Sequence, residues 1–275
     1  MQNARCLAHW GSSVVFAVAV LAGCKEPPAP EKTSTPTPSA TTAQVAPSAT
    51  ASAAAAVADA GTTTVAGKTK PEIKCENGPT AVFHMPGLEA DVRKKLAKTK
   101  GEPISVKELA NIKSINVTND KVDWLDPCIF PKLTGMKDLF LGEGELDDLS
   151  LLASHSQLIS LRASINKVKD ISPLSNLTKL DRLDLGRTAI RDVDALSTLI
   201  NLTELQLDGT DIETLRPLSN LKKLERLSIK NTRISDVSPL AGLTNLKSLT
   251  TGGSPVSDFH SLGALVSRGL KIDTK

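Results

Sequence analysis

Aromatic residues and an excess of one charge are both missing from this sequence. Its 275 residues include no tyrosine, two tryptophans and five phenylalanines. Because sites for sugars and nucleobases commonly depend on aromatic stacking, this scarcity counts against both kinds of site. The chain has 33 Lys and Arg against 30 Asp and Glu, a formal net charge of +3. It therefore lacks the basic footprint that nucleic-acid binding usually requires, and we expect no nucleic-acid partner.

Patterns typical of catalysis and metal binding are also missing. No two histidines stand at metal-ligand spacing, and there is neither a Gly-rich phosphate loop nor a G-x-S-x-G motif. The acidic stretch GEGELDD, residues 142–148, lacks the ligand spacing of an EF-hand, and a solvated edge explains it better. We therefore predict that the protein is not an enzyme and has no cofactor and no metal site.

Long hydrophobic runs are missing too, since a spanning helix needs ~20 apolar residues. The apolar stretch from Val14 to Ala22 follows Arg5 and has the length of a signal-peptide core. It ends in LAGC, residues 21–24, which resembles the bacterial lipobox. The resemblance implies a lipoprotein signal peptide at residues 1–23, diacylglycerol on Cys24 and a fatty acid such as palmitate on the new N-terminus. An ordinary secretory signal with an incidental cysteine is the alternative.

Lipidation of Cys24 would anchor the protein stably in a bacterial cell envelope, because several acyl chains would sit on one residue. Lys25 directly follows this cysteine, which resembles the enterobacterial pattern for sorting to the outer rather than the inner membrane. Residues 24–72 are rich in Ala, Pro, Thr and Ser and contain almost no large apolar residue. We therefore predict a disordered tether that holds the folded part away from the membrane.

Two cysteines, Cys75 and Cys128, remain when the signal peptide and Cys24 are set aside. In an exported chain, a pair of thiols suggests one disulfide. Two separate buried thiols are the alternative.

The rest of the chain is periodic. Apolar columns repeat every 22 residues, for example at Leu139, Leu161, Leu183, Leu205, Leu227 and Leu249. A fixed period of this size indicates a solenoid, because one unit cannot bury its apolar side chains alone. We predict seven coils over residues 112–267 and a C-terminal end at 268–275. In the first coil Cys128 takes the position of a core leucine, and His155 later occupies a leucine column.

Each coil combines a strand, a polar turn and a short helical segment. Alternating leucines such as Leu205 and Leu207 predict strands that pair in parallel. A short polar side chain follows each strand and should hydrogen-bond the turning backbone as an internal ladder, at Asn166, Thr188, Thr210, Thr232 and Ser254. Proline recurs where a helical turn would begin, at Pro173, Pro217 and Pro239.

An N-terminal helical cap is predicted for residues 73–111. Leu88, Val92 and Leu96 form one apolar stripe on a short helix. Ser105 with Glu108 three residues later forms a capping box that starts a second helix. Two short helices would then cover one end of the solenoid.

The motifs DISPLSNLTKL and DVSPLAGLTNLKSL resemble the repeats of the internalin-like bacterial leucine-rich-repeat family. KTKGEPISVKELANIKSINV resembles the helical cap of related bacterial proteins, and the resemblance covers about residues 80–265. It implies an α/β-type leucine-rich-repeat solenoid with parallel strands on the concave face and short helical turns on the convex face. It also implies partner binding through the concave side, but no substrate.

Side chains that flank the buried strand positions point outward and form the candidate partner-binding site. The candidates are Phe140, Arg162, Arg182, Asp184, Glu204, Gln206, Asp208, Arg226 and Lys230. Their mixed charge suits recognition of a protein surface, or it forms self-satisfied cross-strand pairs. We therefore predict an envelope-anchored module for protein–protein recognition. The alternatives are a structural spacer or surface scaffold with no dedicated ligand, or a weak glycan binder.

Overall fold

The structure, a computed structural model, describes residues 72–275, which fall within one compact unit, Thr64–Lys275. The signal peptide predicted at residues 1–23, the lipidated Cys24 and all but the last residue of the predicted tether lie outside the described residues. Within the described part, no helix is long and apolar enough to cross a membrane.

Residues 72–275 form one sheet of eight parallel strands in sequential order. The strands are β1 Ser114–Val117, β2 Asp138–Leu141, β3 Ser160–Arg162, β4 Arg182–Asp184, β5 Glu204–Gln206, β6 Arg226–Ser228, β7 Ser248–Thr250 and β8 Lys271–Asp273. From β2 to β7 the register equals the repeat, so that Leu183 lies beside Leu205 and Leu205 beside Leu227. The parallel solenoid predicted from the period is therefore confirmed.

The eighth strand was not predicted. The repeat count ended at residue 267, but Lys271–Asp273 pairs in parallel with β7, and Leu270 before it is buried. Its register places Ile272 beside Leu249, 23 residues away instead of 22. A single short strand outside the period carries too few apolar residues to be recognised in the sequence.

A 3-10 helix returns the chain after most strands. These helices are Phe130–Lys132, Ser150–Leu152, Ser172–Asn176, Asp194–Thr198, Arg216–Asn220, Ser238–Leu240 and His260–Leu262. Pro173, Pro217 and Pro239 each stand in the first two positions of their helix, where the missing N–H is no loss.

Aspartates hold the starts of these 3-10 helices, a feature that the apolar pattern does not show. The Asp170 carboxylate accepts from the Ser172 N–H at 2.8 Å, and Asp236 accepts from the Ser238 N–H at 2.8 Å. Asp148, Asp192 and Asp258 make the same contact in their own coils. Hydrogen bonds from the Ser172 N–H and hydroxyl lower the pKa of Asp170, and those from the Ser238 hydroxyl and N–H lower the pKa of Asp236.

Most of the predicted polar column lies inside the solenoid: Asn166, Thr188, Thr210 and Thr232 are buried, and Ser254 is half-buried. The hydroxyls of Thr188, Thr210 and Thr232 donate to the carbonyl three residues earlier, at 2.7, 2.6 and 3.0 Å. They therefore close the turn of their own coil. At one end of the column the Asn166 amide also reaches the previous coil and donates to the Gly142 carbonyl at 3.0 Å.

The predicted cap is present as α1, Pro86–Leu96, and α2, Val106–Leu109; a third short helix, α3, spans Gly263–Val266. The apolar stripe of α1 faces the core. The capping box is formed, because the Glu108 N–H donates to Ser105 Oγ and the Ser105 N–H donates to Glu108 Oε2 at 2.7 Å. A hydrogen bond from Lys98, with those from Ser105, lowers the pKa of Glu108 to about 2.

Cys75 and Cys128 form a disulfide, which confirms that prediction. Cys128 is buried, but the leucine position expected for it is filled by Phe130, two residues later. Backbone hydrogen bonds show that Phe130 is equivalent to the core residue Leu152 of the next coil. The Leu133 N–H donates to the Phe130 carbonyl at 3.0 Å, and the His155 N–H donates in the same way to the Leu152 carbonyl at 2.9 Å. His155 is buried as predicted, and its Nε2 lies 2.9 Å from the Phe130 carbonyl oxygen.

One residue in each of five consecutive coils has a left-handed backbone at equivalent positions, and in one of these coils it is a β-branched residue. The φ angles are 59° at Ile165, 55° at Arg187, 66° at Gly209, 51° at Asn231 and 76° at Gly253. Glycine and asparagine tolerate this region, whereas isoleucine is strained there. The Ile165 side chain is also 36% exposed, so that packing compensates this strain only in part.

Replacement of Ile165 by Asn is expected to raise the free energy of unfolding by about 1 kcal/mol, because the left-handed conformation costs a β-branched residue roughly that much more than it costs asparagine. Chemical denaturation of the full chain measures it. Ile200→Asn is the matched control, since Ile200 is 55% exposed and has no positive φ. A loss of stability in Ile165→Asn alone would show that the isoleucine side chain stabilises the loop more than its backbone strains it.

The free energy of unfolding should decrease in acid because the Glu108 carboxylate becomes protonated. Its folded pKa of about 2 lies below its ordinary value of 4.5, so its contribution is present above pH 4.5 and is lost as the pH falls towards 2. Glu108→Gln should therefore destabilise the protein most at neutral pH, and the difference from the native chain should shrink towards pH 2. Urea unfolding at several pH values measures it, with the exposed Glu76→Gln as control. A difference that stays constant with pH would contradict this assignment.

Candidate partner-binding face

The outward side chains of β1 to β8, with the residues that directly follow each strand, form the surface that we call the strand face. In β5, for example, Glu204 and Gln206 flank the buried Leu205, and Asp208 follows two residues later. The structure places every candidate on this face, at Phe140 in β2, Arg162 in β3, Arg182 and Asp184 in β4, Glu204 and Gln206 in β5, Asp208 after β5, Arg226 in β6 and Lys230 after β6.

Two cross-strand ion pairs neutralise part of this face. Arg162 Nε lies 3.4 Å from Asp184 Oδ2, and the two residues are register partners on β3 and β4. Arg226 and Glu204 form a second ion pair between the register partners of β6 and β5. The prediction of self-satisfied pairs therefore holds for these four residues.

Backbone and hydroxyl groups of the sheet donate hydrogen bonds to two carboxylates on this face, those of Asp208 and Asp184. Asp208 Oδ1 accepts from the Ser228 hydroxyl at 2.6 Å and from the Lys230 N–H at 2.7 Å. Asp184 Oδ1 accepts from the Gly186 N–H at 3.0 Å. These contacts fix the carboxylates in place and leave them fewer free lone pairs for a partner.

Two of the candidate cations, Arg182 and Lys230, have no carboxylate partner among the described residues. Arg182 Nε donates to Ser160 Oγ at 2.9 Å, and among the described residues no carboxylate oxygen lies within 4.0 Å of its guanidinium. Lys230 Nζ makes no hydrogen bond or ion pair within residues 72–275. The Gln206 amide between them is exposed and equally unpartnered in the described part.

One anion on the face is also unpaired and was not among the candidates. Asp138 on β2 is half-buried, and its carboxylate has no partner within the described residues. Its outward strand position could be recognised in the sequence, but the lack of a partner could not. From β2 to the residues after β6, the free charges in the described part are thus one anion over β2 and two cations, over β4 and after β6; Lys271 on β8 is a further exposed cation without an ion pair there.

Two shallow cavities adjoin each other on the strand face. One of about 360 Å³ is lined by Phe140, Arg162, Arg182, Glu204 and Gln206, among others. The next, of about 340 Å³, is lined by Glu204, Gln206, Arg226 and Lys230, among others. Gln206 contributes to both, and the half-buried Phe140 is the aromatic side chain at one end.

A cluster of potential metal ligands elsewhere is explained by hydrogen bonding. His84, Asp126 and Cys128 come together near the cap, but the Cys128 sulfur is in the disulfide. The buried Asp126 carboxylate accepts from the His84 N–H at 2.7 Å and from the Cys128 N–H at 2.9 Å. Its place next to the disulfide makes it part of the cap structure.

Comparison with known proteins supports the repeat assignment. Residues 156–198 and 200–242 match the family model described as Leucine Rich repeats (2 copies). No curated protein matches the sequence. The two matched segments, the eight parallel strands and the 3-10 turns together identify the fold as a leucine-rich-repeat solenoid.

Solved structures with this fold include internalins. The chain is 26% identical to an internalin (inlF) from Listeria monocytogenes, and the two structures align with a TM-score of 0.63. The alignment covers 71% of this chain and 65% of the internalin chain. An internalin C2 (inlC2) from the same species is 24% identical, with a TM-score of 0.58 and coverage of 74% and 100%. A leucine-rich-repeat protein from Leptospira interrogans is 22% identical, with a TM-score of 0.51 and coverage of 61% and 50%. The chain thus has an internalin-type fold, and it spans just under two thirds of the inlF structure.

Proposed function

We propose that the protein is an envelope-anchored, non-catalytic module that recognises another protein through its strand face. The observation that carries this proposal is a set of polar side chains on the strand face, Arg182, Gln206 and Lys230, for which the described residues supply no ion pair, beside the ion pairs Arg162–Asp184 and Glu204–Arg226. An internalin-type leucine-rich-repeat fold agrees with a protein-binding module in general.

Rigidity of the sheet supports this role. The strands are held in register by continuous backbone pairing, and the ion pairs beside Arg182 hold neighbouring side chains in place. A partner would then find its contacts already ordered and would lose less conformational entropy on binding. Charged contacts of this kind mainly give specificity and a fast association rate. With one aromatic residue on the candidate surface, we expect a moderate affinity, since strong contacts concentrate on Trp, Tyr and Arg.

The envelope anchor is the second component of the proposal. Lipidation of Cys24 and the tether of residues 24–72 would attach the module to a membrane, and Lys25 favours the outer one. Chain connectivity brings this segment to the solenoid beside the Cys75–Cys128 disulfide. The cap and first coil are thus covalently joined where the tether would pull on them.

A structural spacer without a ligand is the second candidate function. The ion pairs Arg162–Asp184 and Glu204–Arg226 favour it, because a face with fully paired charges would need no partner. The free Arg182 and Lys230 favour recognition instead.

Blocking the strand face should abolish capture of the partner. The full chain with Gln206→Cys, coupled to a maleimide polymer, should retain fewer proteins from native envelope extracts than the uncoupled chain. Asn220→Cys is the matched control, because Asn220 is exposed on the 3-10 helix of the same coil. Recognition through this face would be contradicted if the labels at positions 206 and 220 both abolish capture, or if neither does. The spacer alternative predicts no specific capture by any of these proteins.

Lipidation has a separate test. Cys24→Ser should abolish incorporation of labelled palmitate and move the protein from the membrane fraction to the soluble fraction. Cys6→Ser is the control, because Cys6 would leave with the signal peptide and the label should persist. Retention of the label by Cys24→Ser would refute the anchor without affecting the strand face.

A further inference from the structure

The strand face carries a specific charge pattern that indicates what kind of protein it fits. We propose that it selects an acidic protein surface whose two carboxylates bind Arg182 and Lys230. This inference rests on the proposed recognition function and adds the chemistry of the partner to it. It follows from which charges the sheet neutralises internally and which it leaves free.

Competition for one carboxylate leaves Arg182 free. The register places Glu204 between Arg182 on β4 and Arg226 on β6, so two arginines flank a single acid. Glu204 pairs with Arg226, and Arg182 turns to the Ser160 hydroxyl at 2.9 Å on the other side. A neutral hydroxyl does not compensate the guanidinium charge, so Arg182 keeps the capacity to bind a carboxylate through two parallel hydrogen bonds.

A related arrangement leaves Lys230 free. Asp208 is the acid nearest in the repeat, but its Oδ1 already accepts from the Ser228 hydroxyl at 2.6 Å and from the Lys230 backbone N–H at 2.7 Å. The equivalent position in the next coil is Gly252, which has no side chain to offer. The ammonium group is half-exposed and faces the cavity that Gln206 and Asp273 also line.

The two cations define a spacing for the partner. Lys230 lies four residues beyond Arg226, which is two strands from Arg182. With ~4.8 Å between strands and ~3.3 Å per residue, the two backbone positions are roughly 16 Å apart. On a helical partner this corresponds to carboxylates about three turns apart. Gln206 lies between the cations and offers both a donor and an acceptor to the intervening polar groups.

The charges between the cations favour a protein over a polyanion. Asp184 and Glu204 lie between Arg182 and Lys230 in neutral ion pairs with Arg162 and Arg226, and Asp208 after β5 has no ion pair in the described part. A polyphosphate or a sulfated polysaccharide would bring continuous negative charge over Asp208 and would be repelled there. A protein surface can place separate carboxylates at the two cations and neutral groups over the acids. The free anion Asp138 over β2 further favours a partner with a basic group at that end.

The test compares two charge-matched variants of the full chain. Arg182→Gln with Lys230→Gln removes the two unpaired cations. Arg191→Gln with Arg233→Gln also removes two positive charges, but from arginines that pair with Asp211 away from the strands. The probe is native envelope extract, either untreated or with its carboxylates amidated, and the measurement is retention of those proteins that the Gln206 polymer label displaces.

The proposal predicts that only the Arg182/Lys230 variant loses retention, by about tenfold or more, since two charge-assisted contacts are removed. Amidation of the extract should abolish retention by the native chain. Arg182→Lys with Lys230→Arg keeps both charges and should restore part of the retention that the glutamines remove, because lysine cannot form the two parallel hydrogen bonds of Arg182. Thermal unfolding should shift only slightly in the Arg182/Lys230 variant, because the described structure gives these two side chains no ion pair and a single hydrogen bond, from Arg182 to Ser160.

Three results would overturn the proposal. Equal retention by the Arg182/Lys230 variant and the native chain, with the polymer label still effective, would refute the acidic partner and leave strand-face recognition intact. Undiminished retention of amidated proteins would do the same. Displacement of all captured proteins by heparin or polyphosphate, with direct binding of that polyanion to the native chain, would assign the cations to a polyanion instead. A polymer label without effect would refute recognition through this face itself.

Discussion

Stacking of identical coils is the constraint on which the rest of the structure depends. One coil cannot bury its own leucines, so each core residue packs against its equivalent in the next coil, as Leu183 does beside Leu205. The same stacking brings outward residues into columns. The residues one period away therefore limit which partners a charge on the strand face can have, and side-chain geometry decides with which of them it pairs.

Ends and turns must be closed for this stack to persist. At the N-terminal end α1 and α2 cover the first coil, and the Cys75–Cys128 disulfide joins the chain before the cap to that coil. At the other end β8 adds an unpredicted strand. Within the coils, threonine hydroxyls close the inner turns and aspartates such as Asp170 hold the 3-10 helices. The sheet that results is rigid enough to present a fixed pattern of side chains.

The sequence predicted the solenoid, the cap, the disulfide and the position of every candidate on the strand face, because all of these follow from period and local motifs. Its failures have local causes. Two extra residues in the first coil moved the core position from Cys128 to Phe130. Only the backbone hydrogen bonds show that Phe130 takes the core position. The left-handed conformation of Ile165 has no sequence pattern. Similarly, Glu204 stands between two arginines in the repeat, and only side-chain geometry shows that Arg226 takes it and Arg182 stays free.

Zero-length carbodiimide coupling tests the central claim, that a partner's carboxylates meet the free cations of the strand face, most directly. This reagent joins a lysine amine only to a carboxylate in contact with it, and mass spectrometry locates the bond. The account predicts that Lys230 becomes linked to Asp or Glu residues of the captured partner, while Lys179 and Lys223, which bond Gln157 and Asn201 away from the strands, do not. Links from Lys179 or Lys223 with Lys230 unmodified would contradict it.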